Sequence, residues 1–198
     1  MAKQRFQSKI DNEQTAQLPA AEFRGIIEII DSEEQIEQAC RYLAAHEVIG
    51  FDTETRPSFR AGVSFKVSLL QLSTDERCFL FRLNRIPLAK PILQLLENPK
   101  VQKIGVDVTN DIRGLNQLRH FRAGGFIDLQ NEVERWGIEE KSLRKISALV
   151  LGKRISKAQR LSNWESTTLT DKQQLYAATD AWACVRIYRR LNQTPPIK

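Results

Sequence analysis

The stretch Val48-Ile49-Gly50-Phe51-Asp52-Thr53-Glu54-Thr55 decides the reading of this chain. An apolar run, Val48 to Phe51, reads as a β-strand that leads directly into Asp52. Residues two apart in extended backbone share a face, so Asp52 and Glu54 point the same way, at or near a strand end. Two carboxylates side by side repel unless something positive lies between them. A hard divalent cation that takes oxygen ligands answers that need. A lone pair of this kind is usually no more than two solvated carboxylates, so the rest of the chain has to decide.

Upstream, residues 1–22 are polar, Gln-rich and without period, and are expected to form a mobile tail. Ile26, Ile27, Ile29 and Ile30 read as a strand, and Ser32 with Gln35 forms a capping box for a helix to about Ala45. Downstream, Phe65–Leu72 and Arg77–Leu83 read as neighbouring strands joined by a turn at Thr74-Asp75-Glu76. Then the grammar changes. Leu88–Leu96 has helical spacing, Val101–Val106 reads as a strand, Asp111–Leu118 as a helix and Phe126–Leu129 as a short strand. A helix over about Ser142–Leu151 stops at Gly152, and a last helix, boxed by Thr170 and Gln173, runs to about Leu191. Early hairpins followed by strands that alternate with helices predict one α/β domain, 23–192, with a mixed sheet of five or six strands flanked by helices. Residues 193–198 make a short C-terminal tail.

Bulk properties narrow the class. The 198 residues are 41% hydrophobic and 27% charged, which suits one globular core. The net charge of +6 and pI near 9.4 favour a polyanionic partner. Cys40, Cys78 and Cys184 are far apart and form no CxxC pair, so neither a zinc ribbon nor a disulfide scaffold is expected. No signal peptide and no membrane-length apolar run is present, which predicts an intracellular protein, cytoplasmic or, in a eukaryote, nuclear. No GxSxG, P-loop or HExxH occurs, and His46 and His120 read as surface residues.

Further acids join Asp52 and Glu54. Tyr176 and Asp180 lie one turn apart on the last helix, and the small Ala177 and Ala178 would let that helix approach the sheet. Asp111 follows a strand, where an acid is commonly just a helix cap, with Asp107 a competitor in the same loop and Asp128 at another strand end. Between Leu151 and Ser162 lie Lys153, Arg154, Lys157 and Arg160 with no acid, a candidate phosphate track. Arg113, Arg119 and Arg122 form a similar group. Trp164 is a candidate base-stacking platform, with a core role as the alternative. Phe59 and Arg60 are weaker candidates to wedge or stack at a strand end.

A strand-borne DxE, a mid-chain Asp and a late YxxxD, together with Gly50-Phe51-Asp52, Leu70-Gln71-Leu72, Leu95-Leu96-Glu97-Asn98, Leu151-Gly152-Lys153, Ser162-Asn163-Trp164 and Leu175-Tyr176-Ala177-Ala178-Thr179-Asp180-Ala181, make the chain resemble the DEDD 3′→5′ exonucleases, in the subgroup with Tyr in the third motif. The likeness covers about Phe23 to Leu191. It implies a ribonuclease H-like fold. It implies that Asp52, Glu54, Asp111 and Asp180 hold two divalent ions, Mg²⁺ or Mn²⁺, with Tyr176 beside the attacking water. In the middle motif Asp107 stands where many members carry Asn, and Asn110 where an aromatic is frequent. The expected function is a free-standing 3′→5′ exonuclease that hydrolyses DNA from its 3′ end and releases nucleoside monophosphates. An RNA 3′-processing enzyme like ribonuclease D is the alternative, and a non-catalytic nucleic-acid-binding scaffold a further one. The five site residues Asp52, Glu54, Asp111, Tyr176 and Asp180 are all present, which favours the enzyme. The expected partner is nucleic acid, DNA before RNA, with no membrane; the sequence leaves protein partners open.

Overall fold

Alternation in the strands decides where the two cores lie. Leu70, Leu72, Phe79, Phe81, Ile49 and Phe51 pack into one buried cluster, while their neighbours Leu69, Cys78 and Leu80 pack into another on the opposite face. The computed structural model describes residues 6–197. Its sheet has six strands: β1 (Ile26–Ile30), β2 (Val48–Thr55), β3 (Val67–Ser73), β4 (Arg77–Phe81), β5 (Gln102–Gly105) and β6 (Phe126–Asp128). Their order is β1-β4-β3-β2-β5-β6, and only β3 runs against the rest. A tight turn joins β3 to β4 and a longer loop, residues 56–66, joins β2 to β3, whereas β5 and β6 add in parallel after helical crossovers. The predicted mixed sheet is therefore present, in its six-stranded form.

The first helix, α1 (Asn12–Gln17), precedes the sheet. The helices α2 (Glu33–Ala44), α3 (Lys90–Glu97) and α4 (Val108–Asn116) supply the cluster on one face through Ile36, Leu43, Ile92, Leu96 and Leu115. After β6 come α5 (Leu129–Glu132), a 3-10 turn at Val133–Trp136, α6 (Leu143–Leu151) and the long α7 (Asp171–Asn192). Both predicted capping boxes close, Ser32 with Gln35 and Thr170 with Gln173. Gly152 takes the left-handed conformation, φ 63°, that ends α6.

Two expectations need correction. The stretch read as a mobile N-terminal tail packs on the domain throughout its described part. Phe6 is buried in the cluster that holds Trp136 and Leu191, and α1 starts on a capping box between Asp11 and Gln14. The Glu139 N–H donates to the Ser8 carbonyl, and the segment then pairs with Arg154 through Pro19 and Ala21. The C-terminal stretch is held too, since Trp136 Nε1 donates to the Thr194 carbonyl at 2.7 Å. Isolated anchors and main-chain bonds hold these ends, and neither produces a periodic pattern in sequence. The second correction concerns α4. It begins at Val108 behind Asp107, so Asp111 lies in its first turn and is not the cap.

Candidate active site

Gly50 sets the position of α7. A β-carbon there would fall 1.8 Å from the Ala181 carbonyl oxygen, so the helix lies against the bare main chain of β2. Ile49 and Phe51 face the other core, which leaves Gly50 and, two residues on, Asp52 and Glu54 facing α7. Strand β2 continues to Thr55, so both acids sit within it and not past its end. The Thr170 cap fixes where α7 starts, and Tyr176 and Asp180 fall on the face it turns to the strand. Carboxylate oxygens of Asp52, Glu54 and Asp180 come within 4.8 Å of one another. Asp111 approaches from α4 and accepts a 2.5 Å hydrogen bond from the Thr53 hydroxyl. Thr53 was not singled out in the sequence, although its place between the two acids was visible.

Burial dominates the electrostatics. It pushes the Asp52 carboxyl well above the usual range, and the Asp180 charge adds to the effect. Glu54 is raised to about 10 by burial, then by Asp52 and Asp180. Asp111 is raised to about 8 by burial and by Asp52, with the Thr53 bond opposing. Asp180 is raised to about 7 by burial, with a hydrogen bond from Tyr176 opposing. The Tyr176 phenol is raised by burial and by Asp180, Glu54 and Asp52, so it keeps its proton and acts as a donor. Asp180 is 6% exposed, and its Oδ1 has no hydrogen-bond partner. This convergent, all-oxygen donor set with an orphaned buried oxygen fits hard divalent cations such as Mg²⁺ or Mn²⁺.

The competing acids have other tasks. Asp128 accepts from the Asp107, Val108 and Gln130 N–H groups and so holds the β5–α4 corner. Asp107 is exposed, adopts φ 60° and accepts from the Asn110 amide.

Tyr176 and Asp180 line two clefts. One, of about 580 Å³, is basic and includes Lys141, Arg144, Lys157 and Arg160. The other, of about 350 Å³, is mostly apolar and runs between Ala21, Ile155, Leu175 and Thr179. Of the proposed phosphate track, Lys157 and Arg160 reach the basic cleft. Lys153 is exposed and does not line it. Arg154 Nε donates to the Leu18 carbonyl, so this side chain ties down the N-terminal segment. The reading of Trp164 as a stacking platform is corrected. It is 0% exposed, packed with Leu69 and Ala178, and its ring centre lies 6.0 Å from that of Tyr176. No face is open to a base; the indole instead backs the tyrosine. Lys141 and Arg144 were missed, because in sequence they read as the ordinary polar start of α6. Phe59, on the loop after β2, is 82% exposed.

A family model described as 3′-5′ exonuclease matches residues 27–194. The mouse bifunctional 3′-5′ exonuclease/ATP-dependent helicase WRN is 34% identical over 190 residues, which is 88% of this chain and 13% of that protein. A 3′-5′ exonuclease of Drosophila willistoni is 28% identical over 208 residues, 95% of this chain and 58% of that protein. The chain thus spans less than two thirds of either relative. Among solved structures, the Aedes aegypti Nibbler EXO domain superposes with a TM-score of 0.77 at 24% identity, covering 88% of this chain and 92% of that one. Escherichia coli RNase D, described as an exoribonuclease involved in structured RNA processing, gives 0.75 at 20%, covering 84% and 44%. At such identities the two structures show a shared fold.

Proposed function

The chain belongs to the 3′-5′ exonuclease family, and from that premise we propose that it shortens DNA from the 3′ end, releasing nucleoside monophosphates with the help of two divalent ions, Mg²⁺ or Mn²⁺. The observation that carries this reading is the convergence of Asp52, Glu54 and Asp180 beside Tyr176, at the wall of a basic cleft. Asp52, Glu54, Asp180 and Asp111 would hold the ions. Held by these carboxylates, such ions would supply acidification of a water and compensation of phosphodiester charge. The protein's own groups do the rest. The Tyr176 phenol, protonated and a poor base, orients the attacking water through a hydrogen bond. The Thr53 hydroxyl holds Asp111 in place. Lys157 and Arg160 grip the strand through its phosphates, a contact that carries no sequence information.

DNA is the first substrate to test, because the 34% identical relative joins its exonuclease to an ATP-dependent helicase. RNA is the second reading, supported by the fold shared with RNase D and with a Trypanosoma brucei RNase D solved in complex with RNA U12. The distinction turns on contacts at the sugar 2′ position. Purified protein incubated with 5′-labelled DNA and RNA of one sequence decides it. A ladder that shortens stepwise from the 3′ end of DNA, stopped by EDTA, is expected. Faster loss of RNA would transfer the reading to a ribonuclease, and undiminished cleavage in excess EDTA would remove the metal mechanism.

A further inference from the structure

Gln71 sits on β3 directly opposite Asp52 on β2. Paired residues on neighbouring strands project to the same face, with β-carbons about 4.5–5.5 Å apart. That face is the one α7 covers, because Leu69, two residues before Gln71, packs there with Trp164, Ala177 and Ala178. Gln71 is 0% exposed, and neither its amide nitrogen nor its amide oxygen has a hydrogen-bond partner. A carboxamide can donate twice and accept twice, so leaving both ends unmade in a dry core is costly. Leucine fills the neighbouring place on this face, so packing alone does not call for an amide.

Apart from Arg82 Nε, the buried unpartnered atoms of the described residues belong to Gln71 and to two groups near it. Asp180 Oδ1 is buried and unpartnered within the acid group that includes Asp52. Trp164 Nε1 is buried and unpartnered in the cluster that holds Leu69. Among the described residues, Gln71 thus pairs across the strands with one of these carboxylates and shares its sheet face with the cluster that holds the lone indole donor.

We propose that Gln71 is a positioning residue for the metal site: its amide makes neither bond in the structure as it stands, and when a divalent ion binds, its N–H donates to Asp52, its oxygen accepts from Trp164 Nε1, and Asp52 is thereby held in the orientation that keeps the ion. The Gln side chain extends three bonds beyond its β-carbon, long enough to reach across a cross-strand pair once its torsions turn that way. The bond occupies one carboxylate oxygen lone pair and leaves the others turned toward the ion, as outer partners of metal ligands commonly do. Trp164, already the backing of Tyr176, would then fix both the phenol and the amide, so one indole sets two parts of the site.

This inference rests on the reading of Asp52, Glu54 and Asp180 as metal ligands. Its test is Mn²⁺ binding, followed by electron paramagnetic resonance, to the wild type, Gln71→Met, Gln71→Leu and Asp180→Asn. Thermal unfolding of the metal-free proteins is measured alongside. A side chain that merely fills space should be replaceable by Met or Leu with unchanged Mn²⁺ affinity and an equal or higher metal-free Tm. The expected result is an affinity loss of about 10–100-fold in both Gln71 variants at an undiminished metal-free Tm. Turnover should also fall, be restored by added Mn²⁺, and show little change in KM for an oligonucleotide. Any other combination of affinity and Tm in the Gln71 pair overturns the proposal. If instead Asp180→Asn binds Mn²⁺ as tightly as wild type, the metal-site reading itself falls.

Discussion

The acidic and basic walls of the site are carried by different kinds of structure. Asp52, Glu54 and Asp180 stand on β2 and α7, pressed together at Gly50 and Ala181. Lys157 and Arg160 stand on the irregular stretch between α6 and α7. That stretch is tied down by main-chain bonds such as those of Arg154 to Pro19 and Ala21. The first wall carries its oxygens on packed, regular elements, as ion coordination requires. The second offers long, rotatable cations, which suit a sliding polyanion. Damage to the first should therefore appear in turnover, and damage to the second in affinity.

The largest effect expected is for Asp180→Asn. It removes a buried ligand charge, so single-turnover cleavage should fall by more than the roughly 10²–10³-fold typical of one lost positioned donor. Added Mn²⁺ should recover part of it, and a near-normal rate would break the contrast between the walls. Tyr176→Phe keeps the ring against Trp164 and loses only the hydrogen bond to water. A fall of about 10²–10³-fold is expected, in kcat and not in KM, and added metal should not restore it. Rescue by metal would reassign Tyr176 to ion binding.

On the basic wall, Lys157→Ala with Arg160→Ala should weaken oligonucleotide binding. It should also lower the salt slope of log K by about 1.4 for a single strand, at roughly 0.7 per phosphate contact. Lys153→Ala should change neither, since Lys153 lies outside the cleft. Equal effects from Lys153 and Lys157 would mean that the track runs elsewhere.

The smallest effect concerns pH. In the metal-free protein Asp180 and Asp111 are raised from 3.8 to about 7 and about 8. Above pH 4 the folded state then binds more protons than the unfolded one, so stability falls as pH rises toward about 8. The metal-free Tm should decline across that window, and Mn²⁺ should flatten the decline. A metal-free Tm that is level from pH 5 to pH 8 would show the carboxylates to be less confined than their burial implies.

Periodicity made the acidic wall legible. Alternation along Val48–Glu54, the four-residue step from Tyr176 to Asp180 and two capping boxes are local patterns that place those groups, and the sheet class, from the residues themselves. The basic wall depended on burial and long-range contact, which leave no period. Trp164 gave no sign that both its faces were covered, nor Arg154 that its partner was the Leu18 carbonyl. The ordered ends were hidden for the same reason, since the Ser8, Pro19 and Thr194 carbonyls that accept these bonds are independent of the side chains those residues carry. Asp107 and Asp111 were separable only once α4 was seen to start between them.

The meeting of Gly50 with Ala181 works as a stop on a sliding joint. Main-chain atoms alone set how closely helix and strand approach, since any β-carbon at Gly50 would fall 1.8 Å from a carbonyl oxygen. Repacking elsewhere in the core then has little leverage on the gap between Asp52 and Asp180. Descendants of this chain are free to redraw their loops and outer faces without retuning the centre, so long as that one methyl group stays missing.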